Sequence, residues 1–272
     1  MKKIVVRFFV AMMLLIPISF VQAAEPLVLY DNFNSALINP DKWFGSEFSG
    51  GREVFRTVQN GQLRLLDRVY GNNGSNSGYW HGNIRLSFMN PSTITTIKTT
   101  VSASKFECVG CNANPGSSSW AAAYIQGFYF NTGNSTPGNN TNDVRARIGI
   151  EASTNNSTQP QVLDVIANIQ KCLNSDCSTT ETIATKNLGT ASLAQKVILY
   201  IKWDKLNHRF ILRRDSQPLV YARYDAVKYP EKSSPGNNVK RLVAAGSAAN
   251  CTGSPRPVGF MDAFFDNVYI NP

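Results

Sequence analysis

The sequence predicts an all-β protein, a sandwich of two antiparallel sheets, and three observations carry that prediction. Between Gln195 and Arg223 three apolar runs alternate residue by residue and are divided by two polar turns, the pattern of a β-meander. Asn60-Gly61, the strongest short hairpin signal, stands between two further alternating runs. Nowhere do ten consecutive residues carry a persuasive helical period.

Taken in order, the chain opens on Lys2, Lys3 and Arg7, an apolar run from Phe8 to Phe20, and Val21-Gln22-Ala23. This is the pattern of a secretory signal peptide over residues 1–23, and Pro17 interrupts a run already too short for a spanning helix. The rest, residues 24–272, is expected to form one domain in a secreted or periplasmic location. The chain has 272 residues and a formal charge of +9, which falls to +6 if the three basic leader residues are removed. A basic balance favours an anionic neighbour, an acidic polysaccharide among them. No basic stripe supports nucleic-acid binding.

Leu27 to Phe33 reads as a short strand, Asn39-Pro40 as a turn before Trp43, and residues 54–58 and 63–67 as the two arms of the hairpin. The Gly- and Asn-rich loop 71–78 delivers Tyr79-Trp80-His81 onto a strand reaching Met89. A long Thr- and Ser-rich strand follows from Thr93 to Phe106, its imperfect alternation predicting a bulge. Trp120 to Phe130 sets Trp120, Ala122, Tyr124, Gln126 and Phe128 on one face. Val144 to Glu151 alternates an apolar face with Arg145, Arg147, Gly149 and Glu151, and Leu163 to Gln170 repeats the pattern. Beyond a weaker strand at 182–186 and the meander lie a short strand at 242–245 and two closing runs, 258–260 and 263–270. That makes about fourteen strands.

Five cysteines in an exported chain point to disulfides rather than to zinc or redox chemistry. Cys172 and Cys177 flank a turn-forming tetrapeptide and are expected to close it. Cys108-x-x-Cys111 reads as a structural bridge, with Cys251 left over or taking Cys108 or Cys111 as its partner.

Asp31-Asn32-Phe33, Asp41-Lys42-Trp43, the segment from Val58 to Leu65, Ile201-Lys202-Trp203-Asp204 and Phe265-Asp266-Asn267-Val268 together resemble the bacterial concanavalin A-like lectin/glucanase jelly rolls. The resemblance implies two sheets of six or seven strands, adjacent first and last strands, and a concave face that binds or cuts glycans in relatives. It also implies that Asp31 and Asp266 lie near each other, where some relatives hold calcium. Turn capping explains such aspartates more simply, so no metal or cofactor is expected. One fold carries many activities, so function is argued from the site.

The Glu-x-Asp-x-x-Glu motif of the family's laminarinase-like glycosidases is absent, Glu151 has no acidic neighbour on its strand, and Glu47 and Glu53 straddle Gly50-Gly51. The Gln-x-His motif of the alginate-lyase-like members is absent too. The chain is therefore expected to bind a carbohydrate or envelope polymer without cleaving it, through Tyr79, Trp80, His81, Trp120, Tyr124, Gln126, Arg145 and Arg147. The alternatives are a lyase or hydrolase acting on an acidic glycan, with Tyr79, His81, Arg145 and Arg147 as suitable side chains, and a surface module without a small ligand.

Overall fold

A computed structural model describes residues 26–272 apart from 36, 45–47, 50–52 and 254. The leader reading and Glu47 lie outside the described residues. Sixteen strands are present among those described: β1 Val28–Asp31, β2 Trp43–Phe44, β3 Phe48–Ser49, β4 Glu53–Gln59, β5 Gln62–Tyr70, β6 Tyr79–Phe88, β7 Thr96–Val109 and β8 Ser119–Asn131 come first. They are followed by β9 Asp143–Thr154, β10 Leu163–Cys172, β11 Thr180–Ala191, β12 Val197–Asp204, β13 Arg209–Arg214, β14 Val220–Arg223, β15 Lys240–Ala249 and β16 Val258–Ile270.

The strands form two eight-stranded sheets rather than sheets of six or seven. The first runs β14-β13-β12-β7-β16-β5-β4, with β1 on β16, and the second runs β11-β10-β9-β8-β15-β6-β2, with β3 on β6. The first and last strands do pair, Val28 opposite Ile270. The meander at 197–223 appears as β12, β13 and β14 in sequence order. Asn60 and Gly61 both take positive φ, 53° and 70°, as a two-residue primed turn requires.

Alternation decides what is buried. Ala121, Ala123 and Ile125 of β8, Val144, Ala146, Ile148 and Ile150 of β9, and Leu163, Val165, Ala167 and Ile169 of β10 face the first sheet, and all are buried. Across the core stand Leu63, Leu65, Ile97, Val101, Leu199, Ile201, Phe210 and Phe265. At the β1 edge Asp31 holds the Trp43 anchor, its Oδ2 accepting from Trp43 Nε1 at 2.6 Å while Oδ1 caps Phe33 N at 2.9 Å. Trp43 packs in turn on Tyr30, Phe33 and Phe88.

Where β15 crosses β16 the sheets meet backbone to backbone. Ala121, Gly246 and Gly82 stand in one row of the second sheet. A Cβ on Gly246 would lie 2.5 Å from the Gly259 carbonyl oxygen, and one on Gly259 would lie 2.4 Å from that of Ser247. Small side chains explain why β15 reads as only four residues in sequence: Gly, Ala and Ser are poor strand formers, and the strand owes its length to its two neighbours.

Beside this contact lies Asp67, fully buried among Leu63, Leu65 and Val69 of β5, with neither carboxylate oxygen completing a hydrogen bond. Burial raises its pKa from 3.8 to about 8, the Gly246 backbone offsetting part of that rise. The native state therefore holds a proton that the unfolded chain releases. The stability this proton represents is full below pH 4 and is lost as pH rises through about 8.

Two outcomes follow. The unfolding free energy of the wild type, read from denaturant curves, falls as pH rises from about 4 to about 8, by up to ~1.4 kcal/mol per pH unit from this group, and Asp67→Asn removes that contribution. An unchanged slope in Asp67→Asn contradicts the assignment. Gly259→Ala lowers stability by about 1–3 kcal/mol, because the new methyl group meets backbone that cannot move aside; an equilibrium unfolding curve measures it.

Candidate functional site

With one face of β6, β15, β8, β9 and β10 committed to the core, the other face of the same strands is a polar wall. His81, Asn83 and Arg85 come from β6, and Arg241, Val243 and Ser247 from β15. Trp120, Tyr124 and Gln126 come from β8, and Arg145 and Arg147 from β9. Register places Arg147 opposite Gln126 and Gln126 opposite Arg241, so these three cross the sheet in one row at the ~4.8 Å strand spacing.

Two adjoining clefts, of about 420 and 480 Å³, are cut into this face and share His81, Tyr124, Gln126, Arg145, Cys177 and Ser178, so that together they form one groove. Tyr79, Trp120 and Arg147 line one end of it, and Asn83, Arg85, Arg241 and Asp176 the other. Seven of the eight residues expected from sequence are thus brought together. Trp80 is not: successive side chains of a strand point to opposite faces, so Tyr79 and His81 share the groove and Trp80 turns away from it. Asn83 and Arg85 continue the alternation that begins at Tyr79 and were readable by the same rule. Arg241 was hidden because its strand reads as starting at Leu242, and Asp176 and Ser178 arrive from a distant loop that no local pattern announces.

The side chains hold one another in place. Arg145 donates Nε and Nη2 to Gln170 Oε1 at 3.1 and 2.9 Å. Arg147 donates to Glu151 at 3.3 Å, and its guanidinium lies 5.3 Å from the Tyr124 ring centre. Burial lowers the Arg145 pKa, nearby Tyr124 opposing and Arg147 reinforcing the shift. His81 Nδ1 lies 3.0 Å from the Gly246 carbonyl oxygen, which can only accept; the ring therefore carries its proton there and leaves Nε2 free to accept from Asn83 Nδ2 at 3.3 Å. Asn83 is oriented by Arg85, which donates to its Oδ1. Although part of the imidazole faces the groove, its dense surroundings lower its pKa, and Arg85, Arg147 and Arg145 lower it further, so the ring is neutral at physiological pH. The His81 and Trp120 rings lie 5.2 Å apart. Gln126 is 4% exposed and its Nε2 has no hydrogen-bond partner, a buried donor facing the groove.

Acidic groups are scarce on this wall. Asp164 of β10 stands opposite Glu151 across the strands, giving Glu151 the acidic neighbour it lacks on its own strand. Neither carboxylate lines the groove. Among the described residues no cluster of three or more His, Cys, Asp or Glu is arranged to hold a metal.

Disulfides shape the groove's rim. Cys172–Cys177 closes the tetrapeptide as expected and presents Asp176, Cys177 and Ser178 to the groove. The second bridge joins Cys111 to Cys251, not Cys108 to Cys111. Cys108 sits on β7 with its side chain in the core, its thiol against the Ser119 and Ala152 carbonyls, whereas Cys111 lies beyond the strand end beside Ala249 and Cys251. Burial pushes the Cys108 thiol up to about 12, so it stays protonated. Two disulfides fit an oxidising compartment. Among the described residues no helix is long and apolar enough to cross a membrane.

No family model and no curated protein matches the chain in sequence. Solved structures do match in fold. One, reported under prominent members of the human gut microbiota that express endo-acting O-glycanases to initiate mucin breakdown, has a TM-score of 0.53 at 14% identity over 89% of this chain and 97% of its own. The catalytic domain of an endo-1,3-β-glucanase (laminarinase) from Thermotoga petrophila RKU-1 gives 0.47 at 12%, over 91% and 98%. A β-1,3-glucanase from Mycobacterium marinum gives 0.46 at 16%, over 92% and 99%. At such identities the likeness is one of fold alone. The chain is an all-β, two-sheet sandwich of the concanavalin A-like jelly-roll class.

Replacing Cys172 and Cys177 together by Ala frees the rim loop. The expected cost is about 2 kcal/mol of stability, from the loop-closure entropy of a five-residue separation, with faster hydrogen exchange at residues 173–178. Exchange there that matches the wild type would show that the bridge does not hold the rim.

Proposed function

We propose that this protein is exported and binds an acidic polysaccharide along the groove of its second sheet. The observation that carries this reading is the groove's charge: Arg85, Arg145, Arg147 and Arg241 stand around it, and among the described lining residues Asp176 is the one carboxylate set against them. Guanidinium groups fixed by Gln170 and Glu151 suit bidentate recognition of carboxylate or sulfate. Trp120 and Tyr124 offer ring faces to a sugar, and the unpartnered Gln126 amide offers a donor to a hydroxyl. The signal-peptide-like pattern of residues 1–23 and the disulfides support export.

A second reading, eliminative cleavage of the same polymer, is favoured by one observation. His81 is neutral, with Nε2 as an acceptor, beside Tyr124 and two arginines that would neutralise a uronate carboxylate. These are the group types that proton abstraction beside a carboxylate needs. Hydrolysis by two carboxylates has less support, since Glu151 and Asp164, although on the same face of the sheet, are not among the residues that line the groove.

One set of assays separates these readings. The leaderless protein, residues 24–272, is expected to bind acidic polysaccharides but not their neutral counterparts, with affinity falling as salt rises. Arg145→Ala and Arg147→Ala each weaken binding about tenfold or more, the worth of a charge-assisted hydrogen bond of about 1.5–3 kcal/mol. Absence of binding, or binding indifferent to both variants, overturns the proposal. Unsaturated uronate products that vanish in His81→Ala make the protein a lyase; new reducing ends without unsaturation that vanish in Glu151→Gln make it a hydrolase.

A further inference from the structure

At the opposite end of β8 from Trp120 the two sheets part around a separate cavity of about 260 Å³. Tyr129, Phe130 and Trp203 make one side of its wall aromatic, and the rest is largely polar. Phe130 stacks on Trp203 with ring centres 5.4 Å apart, and Tyr129 meets Trp203 edge-on at 6.1 Å. The Trp203 indole donates to Tyr224 Oη at 2.9 Å, and Tyr224 donates to Glu231, which His208 Nδ1 also approaches at 3.1 Å. Trp203, Tyr224, Glu231 and His208 are thus linked in one hydrogen-bonded chain.

Two groups beside it are less well provided for. The Tyr129 hydroxyl has no hydrogen-bond partner, although the residue is only 5% exposed. Lys240 is 2% exposed and runs between the sheets, its Nζ donating to the Phe128 carbonyl at 2.6 Å and to Asn238 Oδ1 at 3.0 Å. Those acceptors are neutral, and they leave the third N–H of an ammonium over the Tyr129 ring, 4.9 Å from its centre. A buried cation without an anion and a buried phenol without an acceptor are both costly, and an oxyanion in the cavity relieves both. Exposed Lys205 and Lys232 at the rim add positive charge where such an anion would enter.

We propose that this cavity is a second binding site, independent of the groove, for a small carboxylate-bearing molecule of about one sugar ring. Lys240 and Tyr129 receive the carboxylate, and the body of the ligand lies against Phe130 and Trp203. Burial lowers the Lys240 pKa to about 7, so binding of a carboxylate beside it recharges the amine with uptake of a proton. The titratable and charged groups facing this space are Tyr129, Lys205, Glu231, Lys232 and Lys240, with His208 and Tyr224 behind Glu231.

The test is titration calorimetry of residues 24–272 with D-glucuronate, and with D-glucose as the neutral control, in buffers of differing ionisation enthalpy. Glucuronate is expected to bind at least tenfold more tightly than glucose, with proton uptake at about pH 8 and little at about pH 6. Lys240→Met, which exchanges the buried cation for an apolar side chain of similar length, abolishes both the binding and the uptake. Tyr129→Phe removes only the hydroxyl, so it tests the site even if Lys240→Met fails to fold, and it weakens glucuronate at least tenfold. Arg147→Ala leaves the Lys240-dependent proton uptake unchanged, whatever it does to glucuronate at the groove. The proposal is overturned by absence of glucuronate binding at millimolar concentration, by equal binding of glucose, by loss of the proton uptake in Arg147→Ala, or by proton uptake that survives Lys240→Met.

Discussion

The backbone contact between Gly246 of β15 and Gly259 of β16 is the constraint on which the rest of the sandwich depends. Only glycine fits at either position, because a methyl group on one would strike the carbonyl of the facing strand. The row of Gly82, Gly246 and Ala121 lets the second sheet settle onto β16 at this level, and larger residues fill the space on both sides of it. The same strand forms part of the groove on its outer face, and the Gly246 carbonyl oxygen fixes the tautomer of His81. Close packing on the inside and the protonation pattern on the outside are therefore consequences of one strand crossing.

Alternation does most of the remaining work. A strand in a sandwich must give one face to the core, and the residues on its other face are brought into line with those of its neighbours by register alone. That is why Arg147, Gln126 and Arg241, more than a hundred residues apart at the extremes, stand side by side. It is also why the groove is rigid: its arginines are held by Gln170, Glu151 and the Tyr124 ring rather than reaching into solvent. A prearranged cationic wall loses little side-chain entropy when an anionic chain settles on it.

The same physics decides what was legible in the sequence. Hairpins and the meander could be read because their turn residues and apolar alternation are local, and the two faces of β8 and β9 followed directly. Trp80 was grouped with Tyr79 and His81 by adjacency, which period-two geometry forbids. The length of β15 was hidden in a run of Ala, Gly and Ser whose strand state comes from the neighbours it pairs with, and Arg241 was lost with it. Cys251 finding Cys111, and the 173–178 loop reaching the groove, depend on contacts between segments distant in sequence; residue spacing carries no record of them. The shortage of carboxylates on the groove was readable as a missing motif, and Arg145 and Arg147 from the alternation of β9, but Arg85 and Arg241 joined them only once the strands were laid side by side.

A sandwich of this class supports many activities, and the charge of the wall bears on the choice among them: four arginines and a neutral histidine line the groove against one described carboxylate, Asp176. The most direct measurement is a crystal structure of residues 24–272 soaked with an acidic oligosaccharide. Density crossing the strands with its anionic groups on Arg145, Arg147 and Arg241 and a sugar face on Trp120 or Tyr124 is the predicted result. An oligosaccharide seated elsewhere on the molecule, or one whose anionic groups make no contact with these arginines, would contradict the account.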